Sequence, residues 1–185
     1  MSHCLVIIIV MSESPSSGLF ARQPGSEDRE SLIFLYQHPL INAHIGGEQL
    51  REVAARLATR IIEESALGKA LYTLYTDKES GAVVGLTSLH WRARFQAVEV
   101  GVLINPDHHQ QGICRWALLS SMQQAERFFN RPVSHCICFI DPHNLSANIT
   151  AERLGFVRHD SAEAAAHKPG QNHYEFDMEQ LNNDR

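Results

Sequence analysis

The sequence predicts an α/β domain (α+β in its layout) on a mixed, mostly antiparallel sheet flanked by helices, and three observations predict it. Segments with strand-like composition and segments with helical spacing adjoin each other along the chain. Two of the strand-like segments flank Asp77-Lys-Glu-Ser-Gly81, a hairpin signal that makes neighbours antiparallel. In the second half, helices separate the strands, which mixes the sheet.

Taken in order, residues 1–17 read as a flexible or accessory segment, an apolar run followed by Ser12-Glu-Ser-Pro-Ser-Ser-Gly18. Residues 18–185 read as one domain. A short strand at 19–22 precedes Ser26-Glu-Asp-Arg-Glu, whose N-cap residue and early acids suit the positive end of a helix dipole. That helix stops near His38-Pro39, because the residue before a proline avoids the α region. A second helix spans 48–65, with Leu50, Val53, Ala54, Leu57, Ile61 and Ile62 on one stripe. Strands follow at 70–76, 82–90 and 97–104. A third helix is expected over 112–129, then a buried strand at 133–140. A helix at 144–154 is closed by Gly155. A short strand at 156–159, a loop at 161–170 and a last strand at 173–178 complete the chain.

Composition narrows the function. With 16 basic and 21 acidic side chains the net charge is −5, which lacks the basic surplus that nucleic-acid binding needs. The apolar run at residues 4–10 is too short for a membrane crossing of roughly 20 residues. Four cysteines in 185 residues do not make a disulfide framework, and Cys136 and Cys138 would share one face of a strand. Reduced thiols and a cytoplasmic location are the expectation.

The informative segment is Glu99-Val-Gly-Val-Leu-Ile-Asn-Pro106-Asp-His-His-Gln-Gln-Gly112-Ile-Cys-Arg-Trp. An apolar strand runs into a proline, a polar loop and a glycine that opens an amphipathic helix. Amide N–H groups at a helix start have no intrahelical partner and sit at the positive dipole end, so they cradle phosphate. Downstream stands Asn144-Leu-Ser-Ala-Asn-Ile-Thr-Ala-Glu-Arg-Leu-Gly155-Phe156.

Together these segments resemble the GNAT family of N-acetyltransferases, over about residues 19–178. The first is similar to that family's Arg/Gln-x-x-Gly-x-Gly/Ala turn, and the second to its Asn-x-x-Ala/Ser…Leu-Gly-Phe signature. The resemblance implies a GNAT-type acyl-CoA fold and acetyl-CoA as co-substrate, without a metal. It also implies an amine acceptor, from a small molecule or a protein amino group, and a homodimer as a further partner. Val102, Leu103 and Ile104 would offer main-chain groups to the pantetheine arm, in a gap between the fourth and fifth strands. His109, Gln110, Gln111, Gly112, Ile113, Cys114 and Arg115 would surround the pyrophosphate, and Asn144 would hold the pantetheine or thioester end. Acceptor choice would rest on residues 41–49 and 161–172.

The sequence departs from the family pattern at three places. His109 stands for the Arg/Gln and Cys114 for the last Gly/Ala; backbone amides supply most phosphate contacts, so both are tolerable. Ala151 stands where many members carry a tyrosine that protonates the leaving thiolate, and alanine has no proton to give.

The reaction needs a neutral amine, and an alkylammonium has a pKa of about 10, so a base helps. Glu99 is the candidate catalytic residue, matching a glutamate frequent in the family; its alternative is a salt-bridged or solvent-facing carboxylate. Members acting on ribosomal-protein N-termini often carry a glutamate on the fifth strand, where Phe139 falls here. A degenerate acyl-CoA-binding domain is the second expectation, motivated by Ala151 and His109. A metal site from His135, Cys136, Cys138 and His143 is disfavoured, because Cys-x-Cys within a strand is not a zinc spacing.

Overall fold

The computed structural model describes residues 18–44 and 50–183. The apolar run and linker of 1–17, and the expected start of the second helix at 48, lie outside these residues.

Seven strands form one sheet in the order β1-β2-β3-β4-β5-β7-β6. They are β1 Leu19–Arg22, β2 Leu71–Asp77, β3 Val83–Arg92, β4 Ala97–Ile104, β5 His135–Ile140, β6 Val157–His159 and β7 Asn172–Asp177. Every neighbouring pair is antiparallel except β4 with β5. The mixed sheet is therefore as the sequence predicts.

The helices are α1 Arg29–Gln37, α2 Pro39–Asn42, α3 Arg51–Ala66, α4 Ile113–Met122, α5 Ala125–Phe129, α6 Leu145–Arg153, α7 Ala162–His167 and α8 Gln180–Asn183. Alternation along β2 and β3 sends side chains to two faces. Tyr72, Leu74 and Leu86 pack under Leu32, Ile33, Ala54, Ala58 and Ile61 of α1 and α3. Leu71, Leu89, Val98 and Val100 face Leu118 and Met122 of α4 and Ala151 of α6. With both faces covered, residues 71–76 are all buried, and each large apolar side chain there contributes roughly 1.5–3 kcal/mol. A buried hydroxyl knot fixes α4 on its face. Tyr75 Oη lies 3.0 Å from Ser121 Oγ and donates to the Ala117 carbonyl at 3.1 Å, and Thr87 Oγ1 lies 2.7 Å from Ser121 Oγ.

Three expectations are corrected. The helix expected over 112–129 is two, because Gln124 N–H bonds to Ser121 C=O, an i−3 bond that tightens the turn between α4 and α5. A helix restarts at Pro39, whose missing N–H is no loss at the first turn. The expected loop at 161–170 contains α7, with Ser161 Oγ capping Ala164 N–H at 3.0 Å. The signal was present: an N-cap serine before an alanine-rich run that ends at Pro169.

Candidate active site

The site begins where β4 and β5 separate. Their register contains only Val98↔Cys136 and Glu99↔Ile137. Beyond Ile137, β5 continues to Ile140 on β7, while β4 continues to Ile104 on β3. Asn105 N–H bonds to Val84 C=O at 2.8 Å across the Gly85↔Ile104 rung. Because antiparallel rungs alternate, Leu103 exchanges its main-chain bonds with β3, whereas Val102 and Ile104 turn theirs toward the gap. Of the three residues expected to hold the arm, Val102 therefore presents both main-chain groups and Ile104 its N–H, the Ile104 carbonyl lying 3.0 Å from His109 Nε2. Leu103 instead packs its side chain on the α1/α3 core.

At the far end of β4, a 3-10 turn over Pro106–His108 leads into the helix start. Gln110 and Gly112 both adopt left-handed backbone, with φ of 62° and 73°. Glycine suits this, and nothing lies within 4 Å of where its Cβ would be, so the turn's surface is open. Among the described residues, no acceptor meets the N–H groups of Gln110 to Arg115; the first bond of the helix is Trp116 N–H to Gly112 C=O at 3.2 Å. An open turn of unbonded amides at a positive helix end fits a diphosphate. His109 plays a different part. Its Nε2 lies 3.0 Å from the Ile104 carbonyl, so the ring clasps the loop to the end of β4. Burial pushes the Cys114 thiol up, which keeps it protonated.

Asn144 caps α6 through Oδ1, which accepts from Ala147 N–H at 3.0 Å. Sequence reasoning missed Asn148, one turn on. Its Nδ2 donates to the Asp141 and Asn144 carbonyls at 2.9 and 2.7 Å, and its Oδ1 accepts from Tyr174 Oη and Asn172 Nδ2, both at 2.8 Å. A second asparagine on the buried side of a helix was the available signal. Ala151 lies in the core cluster with Cys136 and Tyr174.

Glu99 stands at the last rung before the gap, on the sheet face away from α4. Its side chain is only 16% exposed, and its Oε2 accepts from Arg92 Nε at 2.5 Å. His167 Nε2 is 3.6 Å from the same oxygen and Lys168 Nζ 4.0 Å from Oε1. Glu99 is thus an ion-paired carboxylate at the mouth of the gap. Past the rung, Phe139 faces Phe95, His167 and His173, with centroids 6.0, 5.3 and 5.0 Å away. None of these three partners was singled out from the sequence, because they come from the β3–β4 turn, α7 and β7.

Burial pushes the Cys136 and Cys138 thiols up to about 12, helped by their mutual charge and by Glu99 respectively. Among the described residues, no three His, Cys, Asp or Glu side chains gather as a metal site, and His135, Cys136, Cys138 and His143 are no exception.

Comparison with known proteins bears on the fold and the family. A family profile described as "Acetyltransferase (GNAT) domain" matches residues 19–157. No curated protein matches the chain in sequence. Solved structures do match its fold. An acetyltransferase from Agrobacterium tumefaciens superposes with a TM-score of 0.70 at 16% identity, covering 88% of this chain and 92% of its own. A ribosomal-protein-S5-alanine acetyltransferase from Vibrio fischeri gives 0.67 at 16%, covering 89% and 95%. A spermidine N-acetyltransferase from Vibrio cholerae, in complex with CoA and spermine, gives 0.67 at 15%, covering 90% and 99%. At such identities the structures share the fold, while the profile covers most of the chain: it belongs to the GNAT acetyltransferase family.

Proposed function

We propose that this chain moves the acetyl group of acetyl-CoA to a primary amine of a small molecule, a protein N-terminus or a lysine. One observation carries the reading: β4 and β5 part just past Glu99, and the gap leads to the unbonded amides of residues 110–115. Acetyl-CoA supplies an acyl group already activated as a thioester. Val102 and Ile104 give the arm main-chain partners, as an added strand would have. Gln110, Gln111, Gly112, Ile113, Cys114 and Arg115 receive the diphosphate, and Asn144 orients the turn beside the arm's inner end. Glu99 sits where the thioester emerges and takes up the charge of the approaching ammonium, so that the neutral amine attacks directly. The free thiols of Cys114, Cys136 and Cys138 support a reducing compartment, the cytoplasm; among the described residues no helix is long and apolar enough to cross a membrane.

The test pairs binding with turnover. Calorimetry should show CoA binding, and acetyl-CoA with an amine panel should release free thiol. Glu99→Gln should leave CoA affinity unchanged and lower turnover by at least about tenfold, equivalent to about 1.4 kcal/mol, because the approaching ammonium loses its counter-charge. No CoA association at millimolar concentration overturns the whole reading. CoA binding without turnover of any amine selects the degenerate binding domain instead.

A further inference from the structure

We propose that His167 is the group that takes the acceptor's proton, on Nδ1, with Glu99 as the positioning carboxylate behind it. This rests on the acetyl-transfer reading above.

Several contacts fix the ring. His167 ends α7, which Arg94 ties to the β3–β4 turn through Glu163 at 2.7 Å. Its ring meets Phe95 edgewise and Phe139 at a tilt, each with centroids 5.3 Å away. Phe139 is the second residue past Ile137, so His167 stands over the stretch of β5 that has left β4. The ring has a buried and an open side. Among the described residues Nε2 is sealed from solvent without a hydrogen bond, and it lies 3.6 Å from Glu99 Oε2. The side chain as a whole remains 28% exposed. The nearby negative charge favours the proton on Nε2, which leaves the lone pair on Nδ1; a carboxylate sets an imidazole's tautomer in this way.

Glu99 is the weaker proton acceptor. Arg92 and Lys168 already share its charge, so protonating it would break an ion pair in a mostly buried place. An imidazole has no such obligation, since its proton-accepting form is neutral. The charged and titratable groups around His167 are Arg92 on β3, Arg94 on the turn, Glu99 on β4, Glu163 and Lys168 on and after α7, and His173 on β7 behind Phe139. β5 offers an apolar ring there, not a carboxylate.

In the step, the amine nitrogen forms a C–N bond to the thioester carbon and its proton passes to Nδ1. The C–S bond breaks and its electron pair leaves on sulfur. The imidazolium then gives its proton to solvent, and the thiolate takes one from solvent. Amide and free thiol result, and no donor is needed at Ala151.

The experiment is the pH dependence of kcat/KM for wild type, His167→Gln and Glu99→Gln, with CoA affinity measured alongside. Wild type should show an ascending limb. His167→Gln should lose that limb and roughly 10²-fold in kcat at unchanged CoA affinity. Glu99→Gln should keep the limb but move it to lower pH, because an imidazolium loses its anionic neighbour. His167→Ala should recover turnover with added imidazole, a rescue that a purely structural role does not give. An unchanged limb in His167→Gln, or a loss confined to CoA affinity, overturns the proposal and leaves acetyl transfer intact. Absence of turnover in wild type overturns both.

Discussion

Glu99 and Ile137 form the last rung between β4 and β5, and past it the two strands part. Before the rung the two strands are an ordinary parallel pair. After it each strand keeps only its outer neighbour, so one edge of β4 turns main-chain groups, those of Val102 among them, toward the gap.

Those groups should report the arrival of CoA. The amides of Val102, Ile113, Cys114 and Arg115 face the gap or the open helix start and should exchange with solvent quickly in the free protein. Saturating CoA should slow them at least about tenfold, equivalent to about 1.4 kcal/mol, while amides in β2 stay unchanged. Hydrogen exchange followed by NMR reads this directly; equal exchange with and without CoA would remove these residues from the site.

Gly85 sets the other edge of the same strand. A Cβ there would lie 2.6 Å from the Leu103 carbonyl oxygen and 2.7 Å from Ile104 Cδ1. Gly85→Ala must push β4 toward the gap, at a cost of about 2 kcal/mol, as overpacking usually does. The melting temperature should drop by roughly 4–8 °C and CoA affinity should fall with it. By contrast Gly112→Ala meets no atom within 4 Å and should cost only the left-handed backbone, about 1 kcal/mol.

Arg22 grips Asp28 with both Nη atoms, at 2.6 and 2.7 Å, and Gly25 N–H adds a bond at 2.8 Å. Burial opposes the charge on Asp28, but the guanidinium and the amide outweigh it and hold the carboxyl below its ordinary range. A depressed carboxyl stabilises the fold above its unfolded pKa, and the contribution is lost as pH falls through the lower folded value. Asp28→Asn should therefore cost about 2 kcal/mol near neutral pH. The difference from wild type should shrink below about pH 4, as chemical denaturation across pH would show.

Two histidines push in the same direction, over a higher pH range. Burial holds His173 and His90 below the usual imidazole range, with Arg92 adding to the effect at His90. Both are neutral in the fold and take up protons more readily when unfolded. Stability then rises with pH up to about 6.5 and is lost as pH falls below it. His173→Phe keeps a flat ring against Phe139 and should flatten the dependence between pH 7 and 5. A melting curve as steep in pH as wild type would count against this origin.

The sequence by itself determined the fold class, the succession of strands and the glycine turn ahead of α4, because each is local. Periodicity, the Asp77–Gly81 hairpin signal and a glycine before an amphipathic run need no knowledge of what lies across the sheet. The two-residue register that ends at Glu99 and Ile137 is different, for it depends on how twisted strands from distant segments meet. So is the surrounding of Glu99: Arg92, His167 and Lys168 are 7, 68 and 69 residues away and converge only when α7 folds over the turn. Side-chain partners across long separations are decided by packing, which no short window of the chain contains.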